Sequence, residues 1–191
     1  GDAGKTSNSK GKGNKGNKGK VVERAVTIEE LTPLGHHLAS LPVDPRIGKM
    51  MLFGAIFRCL EPTLTIAASL AFRSPFFSPF DKRAEADACK KSFDPMSDHI
   101  TLLRAYQGWE SCRHGPGGRA DERDYLHENF LSGQTLRMIE KMKNQFKQLL
   151  REIHFYDRRH EKEYNEHATN MGLVKAVMVA GLYPNVIKVD G

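Results

Sequence analysis

The sequence predicts a mainly α-helical fold, on three observations. Apolar residues return at steps of three and four along most of the chain. Helix-opening signals of the Thr-Pro and Asp-Pro type recur between these stretches. The one strand-like run, NVIKVD at Asn185–Asp190, is a single short segment, and one strand is not stable alone. With 191 residues, the chain has room for one ordinary domain or two small ones.

The first 20 residues hold six lysines, six glycines and one aspartate, and contribute +5 of the net charge of +6. The other 171 residues are therefore close to neutral at +1. Such a stretch buries too little apolar area to offset ordering, and a disordered tail is expected over residues 1–28. It either meets RNA and acidic surfaces by counterion release or stays a solvated extension with no specific partner. Gly4-Lys5-Thr6 lacks the upstream glycine and the leading strand that a phosphate loop requires.

The helical pattern starts near Leu31. Thr32-Pro33 reads as N-cap and first helical residue, with Leu34, Leu38 and Leu41 facing inward and Pro42 as the stop. Asp44-Pro45 repeats the signal, and Ile47, Met50, Met51, Gly54, Ile56 and Phe57 follow at helical spacing. Glu61-Pro62 opens a third helix whose buried face is expected at Leu64, Ala67, Ala68 and Ala71. Ser74-Pro75 and Ser78-Pro79 force an extended connection. Asp81 is expected to cap the next helix, and Ser97 or Asp98 the one after, which carries Ile100, Leu103, Tyr106 and Trp109 on one face.

His114–Arg123 reads as an exposed loop on its Gly-Pro-Gly-Gly content. A helix with Tyr125, Leu126, Asn129 and Phe130 follows. The longest helix is expected from about Gln134 to His154, with a stripe of Leu136, Ile139, Met142, Phe146, Leu149 and Ile153. Residues 156–168 read as a charged linker. Met171–Pro184 then reads as a short apolar helix stopped by Gly181 and Pro184.

Catalytic patterns are not visible. HExxH and GxSxG do not occur, and the adjacent pair His36-His37 points in two directions on a helix. Cys112 and His114 lack a third group to orient them. The three cysteines, Cys59, Cys89 and Cys112, are odd in number and widely spaced, which argues against a disulfide framework or metal knuckle and suits a reducing compartment. The longest apolar run, Met50–Leu60, is interrupted by Arg58 and falls short of the ~20 residues a membrane span needs. The first residues have no apolar core, so no secretory signal is expected. From the residues alone, a helical binding or scaffolding module is the better supported reading.

Several segments, in order, resemble the DEAH-box/RHA-type ATP-dependent RNA helicases. The first is LTPLGHHLASLPVDPRIGKMMLFG, with Thr32, Gly35, Ala39, Leu41-Pro42, Asp44 and Gly48-Lys49-Met50 as its matching elements. It is followed by Ser74–Phe80, DHITLLRAYQGW at Asp98–Trp109, NFLS at Asn129–Ser132 and AVMVAGLYPNV at Ala176–Val186. The resemblance covers roughly residues 30–190. It implies the helicase-associated region: a partial winged helix over 29–57, a helical ratchet-like bundle over 58–155, the linker, and the start of an OB-fold junction over 169–191.

In that family two RecA-like motor lobes bind ATP and Mg, and the bundle lines a channel for single-stranded RNA. This chain has no DEAH box, phosphate loop or arginine-finger motif, so it is expected to bind no ATP and to be inactive alone, as a fragment or a module split from its motor. The alternative is a stand-alone, non-catalytic RNA- or protein-binding module. The implied partners are RNA, the motor lobes, the OB-fold domain and a protein activator on the winged-helix surface, with no membrane. The implied location is the nucleus or cytoplasm.

The residues expected to meet RNA are His99, Thr101, Asn129, Ser132, Gln134 and Lys143. The first two begin a helix, the next three surround the start of the longest one, and helix N-termini offer free N–H groups to phosphate. Equally, Thr101 and Ser132 are caps and Asn129 a satisfied core amide. The sequence departs from the family pattern at Tyr125-Leu126, where a Trp-Cys pair is usual, and at Gln134 and Lys143, where arginine is common.

Overall fold

The computed structural model describes residues 30–185. The lysine-rich tail, Gly4–Thr6 and, beyond Asn185, the expected terminal strand lie outside them. Eight α-helices make up the described body: α1 (Pro33–Ala39), α2 (Pro45–Ile56), α3 (Leu60–Ala71), α4 (Arg83–Phe93), α5 (Asp98–His114), α6 (Arg119–Glu128), α7 (Gly133–Glu152) and α8 (Met171–Leu182). Among the described residues there is no β-strand, only an isolated bridge between Phe76 and Leu131. No described helix is long and apolar enough to cross a membrane.

The opening signals act as the residues require. Thr32 Oγ1 accepts from Gly35 N at 3.1 Å, Asp44 Oδ1 from Arg46 N at 2.9 Å, and Ser97 Oγ from Ile100 N at 3.4 Å. Asp81 does not cap α4. It sits in a 3-10 turn, Phe80–Lys82, that feeds the helix directly.

The core is assembled around α3, which packs against α2, α5, α7 and α8. Leu60, Leu64, Ala67 and Ala68 are buried, as are Thr63, Thr65 and Ser69 on the other faces. Those three hydroxyls donate to carbonyls four residues back, Cys59, Glu61 and Thr65, at 2.7, 3.0 and 2.8 Å, so polar atoms enter the core satisfied. Ala71, expected to be buried, is exposed because the chain leaves the bundle there. Ile56 and Phe57 are also exposed, at 54% and 47%, since α2 ends beyond its contact with α3.

Two glycines set the spacing of this core. A Cβ on Gly54 would stand 2.8 Å from Thr63 Cβ, and one on Gly181 only 2.6 Å from Met50 Cβ. Gly181, expected as a stop, is therefore an interior contact that brings α8 against α2.

Three helices end without glycine on the same motif. Arg58 (φ 57°), Phe130 (φ 51°) and His154 (φ 62°) take the left-handed conformation. The next amides, of Cys59, Leu131 and Phe155, donate back to Gly54, Leu126 and Leu150. The expected loop at His114–Arg123 is shorter than its glycines suggest, because α6 already begins at Arg119.

Residues 156–168, expected as a linker, lie against the bundle. Tyr156 is buried, His167 N donates to Arg58 O at 2.8 Å, and Asn165 Oδ1 accepts from Glu61 N at 2.7 Å. Arg58 and Glu166 add an ion pair.

Candidate nucleic-acid interface

The longest helix presents its polar face outward because its apolar residues form a single stripe, with Leu136, Ile139, Phe146 and Leu150 buried. Ser132 opens it. Its Oγ accepts from Thr135 N at 3.3 Å and lies 3.1 Å from Thr135 Oγ1. On the exposed side of the first two turns Gln134, Arg137, Met138 and Lys141 face Phe72 and Arg73, which follow α3. Together they enclose a groove of about 250 Å³.

The groove joins positive charge to exposed apolar surface. The Arg73 guanidinium lies 5.5 Å over the Phe72 ring, and Phe72 and Met138 are 39% and 42% exposed. Arg137 Nη1 donates to Glu122 Oε1 at 2.9 Å. Glu122 is nearly buried, and the same oxygen accepts from the indole N–H of the fully buried Trp109 at 2.9 Å. A core residue thus fixes one cation at the rim. Cations placed for phosphates beside flat or soft apolar side chains that bases can lie on are the elements of single-strand binding.

Of the six residues expected to meet RNA, Gln134 is the one that lines this groove. Ser132 and Asn129 flank the start of α7. Asn129 donates to Tyr125 O at 2.8 Å and accepts from Cys89 Sγ at 3.5 Å, and Ser132 is the N-cap. Thr101 is buried and donates to Asp94 O at 2.9 Å.

His99 is half-buried, and its Nδ1 has no hydrogen-bond partner among the described residues. Burial holds its pKa below the ordinary value, against the pull of Asp98, which favours the charged ring. Lys143 is buried and stands apart from the others. Its Nζ meets Glu61 at 2.7 Å and Glu110 at 3.9 Å and lies 4.8 Å over the Tyr106 ring.

Sequence reasoning missed Arg73, Arg137 and Lys141. The steps 134, 137, 138 and 141 trace one helix face, a signal available in the sequence. The approach of Phe72 and Arg73 to that face is a tertiary contact. Among the described residues no group of three or more His, Cys, Asp or Glu side chains could hold a metal ion.

Comparison with known proteins places the chain in context. Residues 44–102 match the family described as "Helicase associated domain (HA2), ratchet-like". The match begins at the N-cap of α2, ahead of the expected ratchet boundary at residue 58. Over 171 residues the chain is 52% identical to the DExH-box ATP-dependent RNA helicase DExH1 of Arabidopsis thaliana, covering 88% of this chain and 17% of that protein. It is 51% identical over 165 residues to the human ATP-dependent DNA/RNA helicase DHX36, covering 84% and 16%. It is 48% identical over 181 residues to the human putative ATP-dependent RNA helicase DHX57, covering 84% and 13%. The chain thus spans between 13% and 17% of the length of these relatives.

Proposed function

We propose, from the premise that this chain belongs to the helicase-associated, ratchet-like region of the DEAH-box/RHA-type RNA helicases, that it holds single-stranded RNA along the start of α7. The reading rests on one observation: Arg73, Arg137 and Lys141 ring a groove that also offers Phe72, Met138 and the Gln134 amide. Cations neutralise phosphates and release counterions, while Phe72 gives a base a face to stack on. Glu122 keeps Arg137 extended in advance, so less side-chain freedom is lost on binding. Ser132 and Asn129 shape the start of α7 beside this groove, Thr101 and His99 belong to the first turn of α5 and do not line it, and Lys143 fixes α7 to α3.

The chain is proposed to supply the strand's path and not ATP hydrolysis, which belongs to motor lobes in the family. RNA-stimulated phosphate release tracking the purified chain would overturn that part. An apolar groove of about 580 Å³, with Val43, Ile47, Leu70, Met142, Phe146 and Leu182 in its walls, supports packing against another protein body such as those lobes.

The test is fluorescence anisotropy with a short single-stranded RNA. R73A/K141A should weaken binding about tenfold at low salt and lower the salt slope by about two, one for each phosphate no longer neutralised. Unchanged affinity and slope would reject the reading.

A further inference from the structure

The other end of α7 carries a second basic concavity that the strand reading does not use. Asn144, Lys147, Gln148 and Arg151 stand on successive turns of one face of α7. The chain then reverses at His154 and returns past that face with Tyr156 seated in the body. Asp157 accepts from Arg159 N at 2.9 Å and opens the 3-10 turn Arg158–His160, so that Arg158 lines the same concavity as Arg151. The enclosed volume is about 320 Å³, at the lower end for a small-ligand site.

The charges around this pocket are unevenly matched. Glu161 is taken by Lys147 at 2.8 Å, and Lys147 also pairs with Glu61. Asp157 is taken by Arg159 at 2.6 Å, and Glu152 accepts from Gln148 Nε2 at 3.0 Å. Glu161 and Asp157 are thus offset by cations, whereas Glu152 keeps its charge and is not among the residues lining the pocket. Among the described residues, neither Arg151 nor Arg158 forms an ion pair, and both line the pocket. The carbonyls of Leu149, Leu150 and Arg151, which would repel an anion at a helix C-terminus, accept from Ile153, Phe155 and His154.

Two planar guanidinium forks at one concavity, with an amide at Asn144, suit a tetrahedral oxyanion that can accept bidentately from both. The side chains that line the pocket, Lys147, Arg151 and Arg158 against Glu161, carry a net charge of +2, which matches a dianion better than the single charge of a carboxylate or phosphodiester. We propose that this pocket is a phosphate site that takes a phosphomonoester dianion, the group found at the end of a nucleic-acid strand or on a free nucleotide.

The test uses the full chain and follows the arginine Nε–H resonances by NMR. Methyl phosphate should shift Arg151 and Arg158 at millimolar concentration, and the monoanion dimethyl phosphate should require about tenfold more. Both shifts should vanish in R151A/R158A, whose exposed substitutions leave the circular dichroism unchanged.

A 5′-phosphorylated RNA decamer should bind several-fold tighter than its 5′-hydroxyl counterpart, and R151A/R158A should abolish the difference. If AMP shifts the two arginines while the decamers bind alike, the site stands with a free nucleotide as its ligand. Equal response to the mono- and dianion overturns the dianion assignment. No shift with any phosphate, or shifts of other residues that survive R151A/R158A, overturns the site. R73A/K141A separates this inference from the strand reading: a fall in strand affinity there says nothing of the methyl phosphate response, and the reverse holds for R151A/R158A.

Discussion

α3 and α7 pack side by side, yet they present opposite surfaces. α3 is covered on every side: nine of its 12 residues are buried, including Thr63, Thr65 and Ser69, whose hydroxyls are satisfied within the helix. α7 buries only six of its 20 residues and turns most of the rest, largely charged or amide side chains, to solvent. The two helices do two kinds of work. α3 holds the bundle together, because every face it shows is apolar or already hydrogen-bonded. α7 supplies recognition, because its far side is free to carry groups that need not pack. The basic pockets near the two ends of α7 follow from that division.

The largest effect should come from α3. Leu64→Ala should lower the unfolding free energy by about 3 kcal/mol in a urea titration. Lys141→Ala, on the open face of α7, should change it by less than about 0.5 kcal/mol. Equal losses from the two would break the contrast.

An intermediate effect belongs to the single place where the two helices share charge. Glu61 lies between Lys143, at 2.7 Å, and Lys147. Burial pushes the Glu61 carboxyl up, but the two ammonium groups together outweigh it and hold its pKa below the ordinary carboxylate value. A carboxyl whose pKa is lower in the folded chain adds stability above its unfolded value of about 4.3, and that stability fades as pH falls through the folded value. Glu61→Gln should therefore cost about 1–2 kcal/mol at pH 7, discounted for partial exposure. It should also flatten the acid limb of the stability–pH curve. A variant with the same acid limb as the parent would remove Glu61 from this role.

The smallest effect sharpens the comparison at the edge of α7. His154 is exposed and sits at φ 62° where glycine is at ease. His154→Gly should raise the thermal midpoint, in keeping with a gain of about 1 kcal/mol. A fall would mean that the imidazole makes a contact worth more than the backbone strain it imposes.

Much of this is legible in the residues, for a physical reason that differs from element to element. Thr32, Asp44 and Ser97 act as caps because capping depends on atoms two or three residues away. The stripe from Leu136 to Ile153 is legible because 3.6-residue periodicity is local. The ends at Arg58, Phe130 and His154 are not, since glycine usually marks them and here it does not. Arg119–Arg123 reads as loop from the glycines just before it, though its own residues are good helix formers. Lys143 reads as a phosphate ligand because a lysine on a helix usually faces water, and it is Glu61, 82 residues earlier, with Glu110 and the Tyr106 ring, that draws it inward.

The sequence by itself determined that this protein is a run of amphipathic helices with known starting points, and which family's helicase-associated region those helices resemble. Tertiary structure alone decided which faces are covered, that Gly181 is a contact and not a stop, that residues 156–168 return to the bundle, and which cations remain unpaired. The division has one cause. Helix signals act over three or four residues, whereas burial and charge pairing depend on groups that the fold brings together from far apart in the chain.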